Sequence, residues 1–127
     1  MRCWGCILLF LFVENLFCQA IFNSYFTESY PSIFTSQTDN INRQITFGSN
    51  RITIATKIEG GKEIQVLTVQ EVHSREGTLT FVCTSSNGRK VTIDLPEQEQ
   101  VNKINYYTRE PGTREEYQLT FYVEQIY

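Results

Sequence analysis

Few side chains in this sequence could carry covalent chemistry. The single histidine, His73, stands ten residues before Cys83, and Glu71 stands two residues before the histidine. A thiol and an imidazole act as nucleophile and base only where the two touch. Both lie in alternating runs, "QEVHSR" and "TLTFVCTS", on either side of a turn signal at Arg75-Glu76-Gly77. In a hairpin built on that turn, Val69 is opposite Cys83 and His73 is opposite Leu79, which leaves thiol and imidazole out of contact. Glu71 and His73 fall on the face of Val69, Phe81 and Cys83. They read either as a polar pair orienting a ligand head group at a pocket mouth or as ordinary residues of a strand leaving the core. No cluster of His, Cys and carboxylates has metal-ligand spacing, and no Gly-rich loop leads into a helix to hold phosphate. The sequence therefore carries no metal or cofactor signal and points away from an enzyme.

The cysteine count depends on the first twenty residues, which read as a secretory signal. Arg2 gives a positive start, "CILLFLFV" (6–13) an apolar core, and "CQA" (18–20) a small-residue site for cleavage between Ala20 and Ile21. A spanning helix needs roughly 20 apolar residues, and Glu14 and Asn15 interrupt this run, so no membrane span is expected. Cleavage removes Cys3, Cys6, Cys18 and the only tryptophan, Trp4. Cys83 then stands alone, no internal disulfide can form, and stability must come from burial. Cys83 reads as a small apolar filler or as an unpaired thiol joining two chains in a dimer. The net charge of −3 comes from scattered residues of both signs, which excludes nucleic acid as an expected partner. The carboxyl end has neither a retention tetrapeptide nor a lipid-anchor tail. The expected location is extracellular.

Residues 21–40 mix aromatics with Ser, Thr and Asn and contain no Lys or Arg. Phe22, Tyr25 and Phe26 follow helical spacing until Pro31, so this stretch reads as a short amphipathic turn or an irregular cover. Residues 41–127 are written in period two. Ile45 and Phe47, Ile52 and Ile54, Leu79, Phe81 and Cys83, Val91, Ile93 and Leu95, and Leu119, Phe121 and Val123 alternate with polar neighbours. Such strands have one dry face and one wet face, which favours antiparallel pairing. The loop Ser86-Asn87-Gly88 sets Cys83 opposite Val91, Phe81 opposite Ile93 and Leu79 opposite Leu95. A two-residue loop would pair apolar with polar residues. The same three-residue device at Glu59-Gly60-Gly61 sets Ile54 opposite Val66 and Thr56 opposite Ile64. Val66 and Leu67, adjacent apolars in "QVLTVQ", read as a bulge where the strand changes phase. Glu110-Pro111-Gly112-Thr113 reads as a type II turn. The segment 96–104 reads as the start of a weak strand or as a short helix with Pro96 in its first turn.

Seven or eight strands with one apolar face cannot remain flat, because the exposed patch would exceed a few hundred Å². No helix long enough to cover it is encoded after residue 40. Consecutive short hairpins favour an all-β, antiparallel up-and-down meander closed into a small barrel, with a β-sandwich as the alternative. A leader followed by a hairpin-linked meander, with "VTIDL", "INYYT" and "YQLTFYV" over residues 91–123, resembles the last strands of lipocalin-like (calycin) secreted barrels. That resemblance implies a small apolar ligand. The family's Gly-x-Trp, Thr-Asp-Tyr and terminal helix are absent, so it transfers no binding residues. From the phase alone, the ligand-facing set is Ile54, Val66, Val69, Phe81, Val91, Ile93, Tyr117, Leu119 and Phe121. The outward set near the carboxyl end includes Tyr107 and Tyr122, which suit contact with a protein. Two functions follow: a secreted carrier of a small hydrophobic molecule, and an extracellular protein-interaction module with a packed core.

Overall fold

The computed structural model describes residues 19–30, 37–109 and 116–126. Nine strands follow in order: β1 (Ala20–Tyr30), β2 (Gln37–Asp39), β3 (Arg43–Phe47), β4 (Arg51–Ile58), β5 (Gly61–Arg75), β6 (Thr78–Ser85), β7 (Lys90–Pro96), β8 (Lys103–Arg109) and β9 (Glu116–Ile126). From β3 onward each strand pairs antiparallel with the next, and β1 pairs with both β3 and β9. The sheet is thus a closed eight-strand antiparallel barrel of β1 and β3–β9, with β2 as an extra strand. Closure removes both sheet edges along the wall. β2 and β3 lie end to end beside β1, with Asp39 opposite Thr27 and Arg43 opposite Ser24.

β1 replaces the cover or helical turn expected for residues 21–40. Its buried positions are Ala20, Phe22 and Ser24, then Thr27. The phase changes because the ladder with β9 shifts register between Ser24 and Phe26. This bulge leaves both Tyr25 and Phe26 outside, which imitates helical spacing in the sequence. Ala20 is fully buried opposite Phe47, so cleavage after Ala20 would start the chain one residue into β1. Residues 1–18 of the expected leader lie outside the described residues, as does the turn at Glu110-Pro111-Gly112-Thr113. Residues 98–100 form a bend, and no helix occurs at 97–102.

The β6–β7 hairpin has the expected register, with Leu79 opposite Leu95, Phe81 opposite Ile93 and Cys83 opposite Val91. Ser85 and Gly88 close the loop, and Gly88 takes φ of 83°, a left-handed value that suits glycine. The other two loops are one residue shorter than expected. Arg75 pairs with Thr78 across Glu76 and Gly77, both left-handed, which is the mirror turn that fits strand twist. Val69 still meets Cys83 because the phase change sits between Val69 and Glu71, not at Val66 and Leu67. Ile58 pairs with Gly61 across Glu59 and Gly60, so Ile54 meets Gln65 and Ala55 meets Ile64.

Inside the wall, Phe22, Ile45, Phe47, Ile52, Leu67, Leu79, Cys83, Val91, Ile93, Leu95, Ile104 and Phe121 are each at most 2% exposed. The rings interlock. Phe47 meets Phe22 edge-on at 5.7 Å and Phe81 at 5.1 Å, and Tyr106 meets Phe121 edge-on at 6.1 Å. These centroid distances lie in the favourable range for aromatic pairs. Two polar groups stand at the end where β3 begins. The Arg43 guanidinium lies 5.8 Å from the Phe121 ring centre and donates to Asp39 Oδ1 at 2.9 Å and to Thr27 Oγ1 at 2.6 Å. Burial pushes the Asp39 carboxyl up, but hydrogen bonds from Arg43 and from the Ile41 N–H outweigh it and hold the carboxyl below its usual range.

Candidate binding surfaces

The sequence-derived ligand-facing set divides. Val91 and Ile93 are fully buried, and Ile54, Phe81 and Phe121 nearly so. Val69 and Leu119 are half-buried against the same core, and Tyr117 is half-buried opposite Thr108. Val66 does not belong to this set. The shorter β4–β5 turn sets it opposite Thr53 on the outside, 37% exposed, and Gln65 takes the inward position. Gln65 Nε2 donates to the Tyr106 hydroxyl at 3.1 Å. Buried polar groups require such partners. This pair was not legible in the sequence, where Gln65 reads as an outward residue.

The chemically capable residues are kept apart. Cys83 has no exposed surface, its Sγ lies 3.7 Å from the Phe81 carbonyl oxygen, and burial pushes its thiol up to about 11. This burial fits the filler reading of Cys83 and leaves the thiol no surface for a disulfide to a second chain. The bulge in β5 turns Glu71 and His73 to the outside, where they bond to each other at 3.2 Å with side chains 63% and 59% exposed. Imidazole and thiol therefore stand on opposite sides of the wall. Among the described residues no group of His, Cys, Asp and Glu could hold a metal ion, and no helix is long and apolar enough to cross a membrane.

The outer wall holds a built aromatic surface where β1 meets β9. Phe26 and Tyr122 pack with ring centres 5.4 Å apart and planes tilted by 52°, and they are 38% and 37% exposed. The Tyr122 hydroxyl donates to Glu28 Oε1 at 3.0 Å. A hydrogen bond to the same Glu28 carboxylate raises the Tyr30 phenol to about 12, and the bond Tyr122 itself makes to Glu28 raises Tyr122. Two phenols and a carboxylate thus fix one another, and less side-chain freedom remains to be lost on binding. Tyr122 occupies the outward position expected of it. Tyr107 is outward too, half-buried opposite Gln118. Phe26, Glu28 and Tyr30 were hidden because their segment did not read as a strand.

Beside this ridge, on the β3 side of the bulge, lies a groove of about 560 Å³. Tyr25, 53% exposed, forms one wall, Gln44 and Ala55 the floor, and Lys57 and Lys62 the far wall. A smaller notch of about 370 Å³ separates Glu63–Gln65 from the loop Ser85–Arg89, and Tyr106 also lines it. No family model and no curated protein matches the chain.

Proposed function

We propose that this chain is exported and works outside the cell as a binding module, holding a protein partner against Phe26, Tyr30 and Tyr122. The observation that carries this reading is the ridge itself: exposed aromatics locked by Glu28 on a rigid, closed wall. Tyr and Phe anchors of this kind dominate the energy of protein interfaces, because they add apolar area at small entropic cost. The interior supports the same reading, since the interlocked rings of Phe22, Phe47 and Phe81, and the pair Tyr106–Phe121, occupy space a cargo would need. An eight-strand barrel encloses about one small ligand or side chains alone. The leader-like start, with its apolar core and small-residue site, supports export.

The carrier reading keeps one specific observation in its favour. The notch at the barrel end, with Gln65, Tyr106 and Arg89 around buried Val91, is the natural mouth for a small amphipathic molecule. Native mass spectrometry of the protein purified from its own source separates the two. A protein complex that dissociates in Phe26→Ala and Tyr122→Ala, with circular dichroism unchanged, supports the interaction module. An apolar molecule bound one to one, retained by both variants, refutes it in favour of the carrier.

A further inference from the structure

The β4–β5 hairpin reaches past the rest of the wall. β4 pairs with β5 from Gly61 to Thr68, whereas β6 joins β5 only from Leu67 onward, opposite Ser85. Gly61–Val66 therefore has a strand neighbour on one side only among the described residues. The direction of its amides follows from two facts. Ile58 and Gly61 close a two-residue turn, and the Val69 N–H bonds Asn50 O on the β4 side. Odd-numbered residues thus spend their amides on β4, and Lys62, Ile64 and Val66 aim theirs at the open edge. Among the described residues no backbone hydrogen bond from a turn or loop takes them up. Such an edge is a template for a further strand. Lys62 and Glu63 place exposed charges of opposite sign on it. Ile64 is 60% exposed and Val66 37%. The 370 Å³ notch runs along the edge, and its far wall carries Arg89, whose Nε is buried without a partner.

A second copy of the chain fits this edge poorly. Two-fold antiparallel pairing centred on Lys62 opposes two ammonium groups, and centring on Glu63 opposes two carboxylates, both destabilising. Centring on Ile64 puts the copy's Gly61 opposite Leu67, where Ser85 already pairs. An extended segment of another protein has none of these conflicts. Running antiparallel to β5, it continues the line that β6 leaves at Ser85.

We propose that the open edge Lys62–Val66 of β5 is a docking site for an extended segment of another protein. That segment adds antiparallel to the sheet with apolar side chains beside Val66 and Ile64, a basic residue opposite Glu63 and an acidic residue opposite Lys62. Apolar contact, main-chain bonds and charge pairing then act together. The site is on β5, whereas Phe26 and Tyr122 are on β1 and β9, and the two share no residue, so either surface can fail without the other.

The probe is a peptide, Val-Thr-Val-Arg-Asp with blocked ends and fluorescein at its carboxyl end, titrated with the full chain and read by anisotropy. Saturable binding with Kd on the order of 0.1 mM is expected. A scrambled peptide, and a peptide N-methylated at the second Val, should each bind about tenfold more weakly or worse, the loss of roughly one edge hydrogen bond and its fit. Ile64→Pro should do the same with circular dichroism unchanged, because the N–H it deletes faces the open edge and not β4. If Ile64→Pro does not fold, the N-methylated peptide decides. No saturation up to about 1 mM, or equal binding of the scrambled and N-methylated peptides, overturns the proposal. So does a dimer mass of the free chain that Ile64→Pro abolishes, since it assigns the edge to a second copy.

Discussion

Phe47→Ala is the sharpest test of a filled barrel. Phe47 is 2% exposed and touches aromatic rings on two sides, Phe22 at 5.7 Å and Phe81 at 5.1 Å. Truncating a buried Phe costs about 3–5 kcal/mol in transfer and cavity terms. Each well-placed aromatic pair adds about 0.5–1.5 kcal/mol beyond its area, which puts this site in the upper half, near 4–5 kcal/mol. The neighbours cannot collapse into the gap, because Ile45, Ile52 and Leu67 are held on closed strands. With a urea slope of about 2 kcal/mol/M, the unfolding midpoint falls by roughly 2 M with the slope unchanged. The vacated space is apolar, stays dry and takes up benzene-sized molecules, so the variant gains stability in benzene-saturated buffer while the parent does not. A loss below about 1 kcal/mol, the size of a tolerated repacking, would refute tight filling. So would benzene stabilising the parent as much as the variant.

Two further perturbations separate backbone from burial. A Cβ at Gly88 or Gly61 meets nothing within 4 Å, but only Gly88 has positive φ. Gly88→Ala should therefore lose about 1–2 kcal/mol, while Gly61→Ala is neutral or gains up to about 1 kcal/mol; thermal unfolding of the pair checks it, and equal losses would contradict it. Cys83 is held at about 11 against an ordinary 9.0 by burial, so its neutral form is the one the fold prefers. The stability this gives is complete below pH 9.0 and is lost as pH rises through about 11. Native protein should accordingly resist iodoacetamide at pH 8 and react fully when unfolded, whereas rapid alkylation of the native chain would show the thiol reaches solvent.

The readable parts of this fold are those where one strict alternation faces another across a turn of fixed length. Leu79, Phe81 and Cys83 against Val91, Ile93 and Leu95 left Ser86-Asn87-Gly88 as the only loop that keeps both sets inside. The β4–β5 turn was ambiguous because Gly60 and Gly61 permit either length. Ile64 and Val66 then suggested the wrong phase, since a hairpin tip beyond the rim need not hide its apolar residues. Residues 20–30 were misread because a bulge at Tyr25 breaks the alternation in the middle of the strand. The contacts Gln65–Tyr106 and Arg43–Thr27 depend on which strands become neighbours, information that local periodicity does not hold. Of the outer ridge, Tyr122 followed from phase, and its partners on β1 did not.

β1 bonds β9 along almost its whole length, with Ile21 opposite Ile126. The earliest and the latest parts of the described chain are thus adjacent staves, and synthesis delivers them at opposite moments. Until β9 emerges, β1 and β8 each lack a neighbour and the hydrophobic lumen is open to water. Joining ends so distant in sequence is the slow, entropically costly kind of contact. The barrel therefore cannot close before β9 has been made, and the apolar faces of the earlier strands stay wet until then.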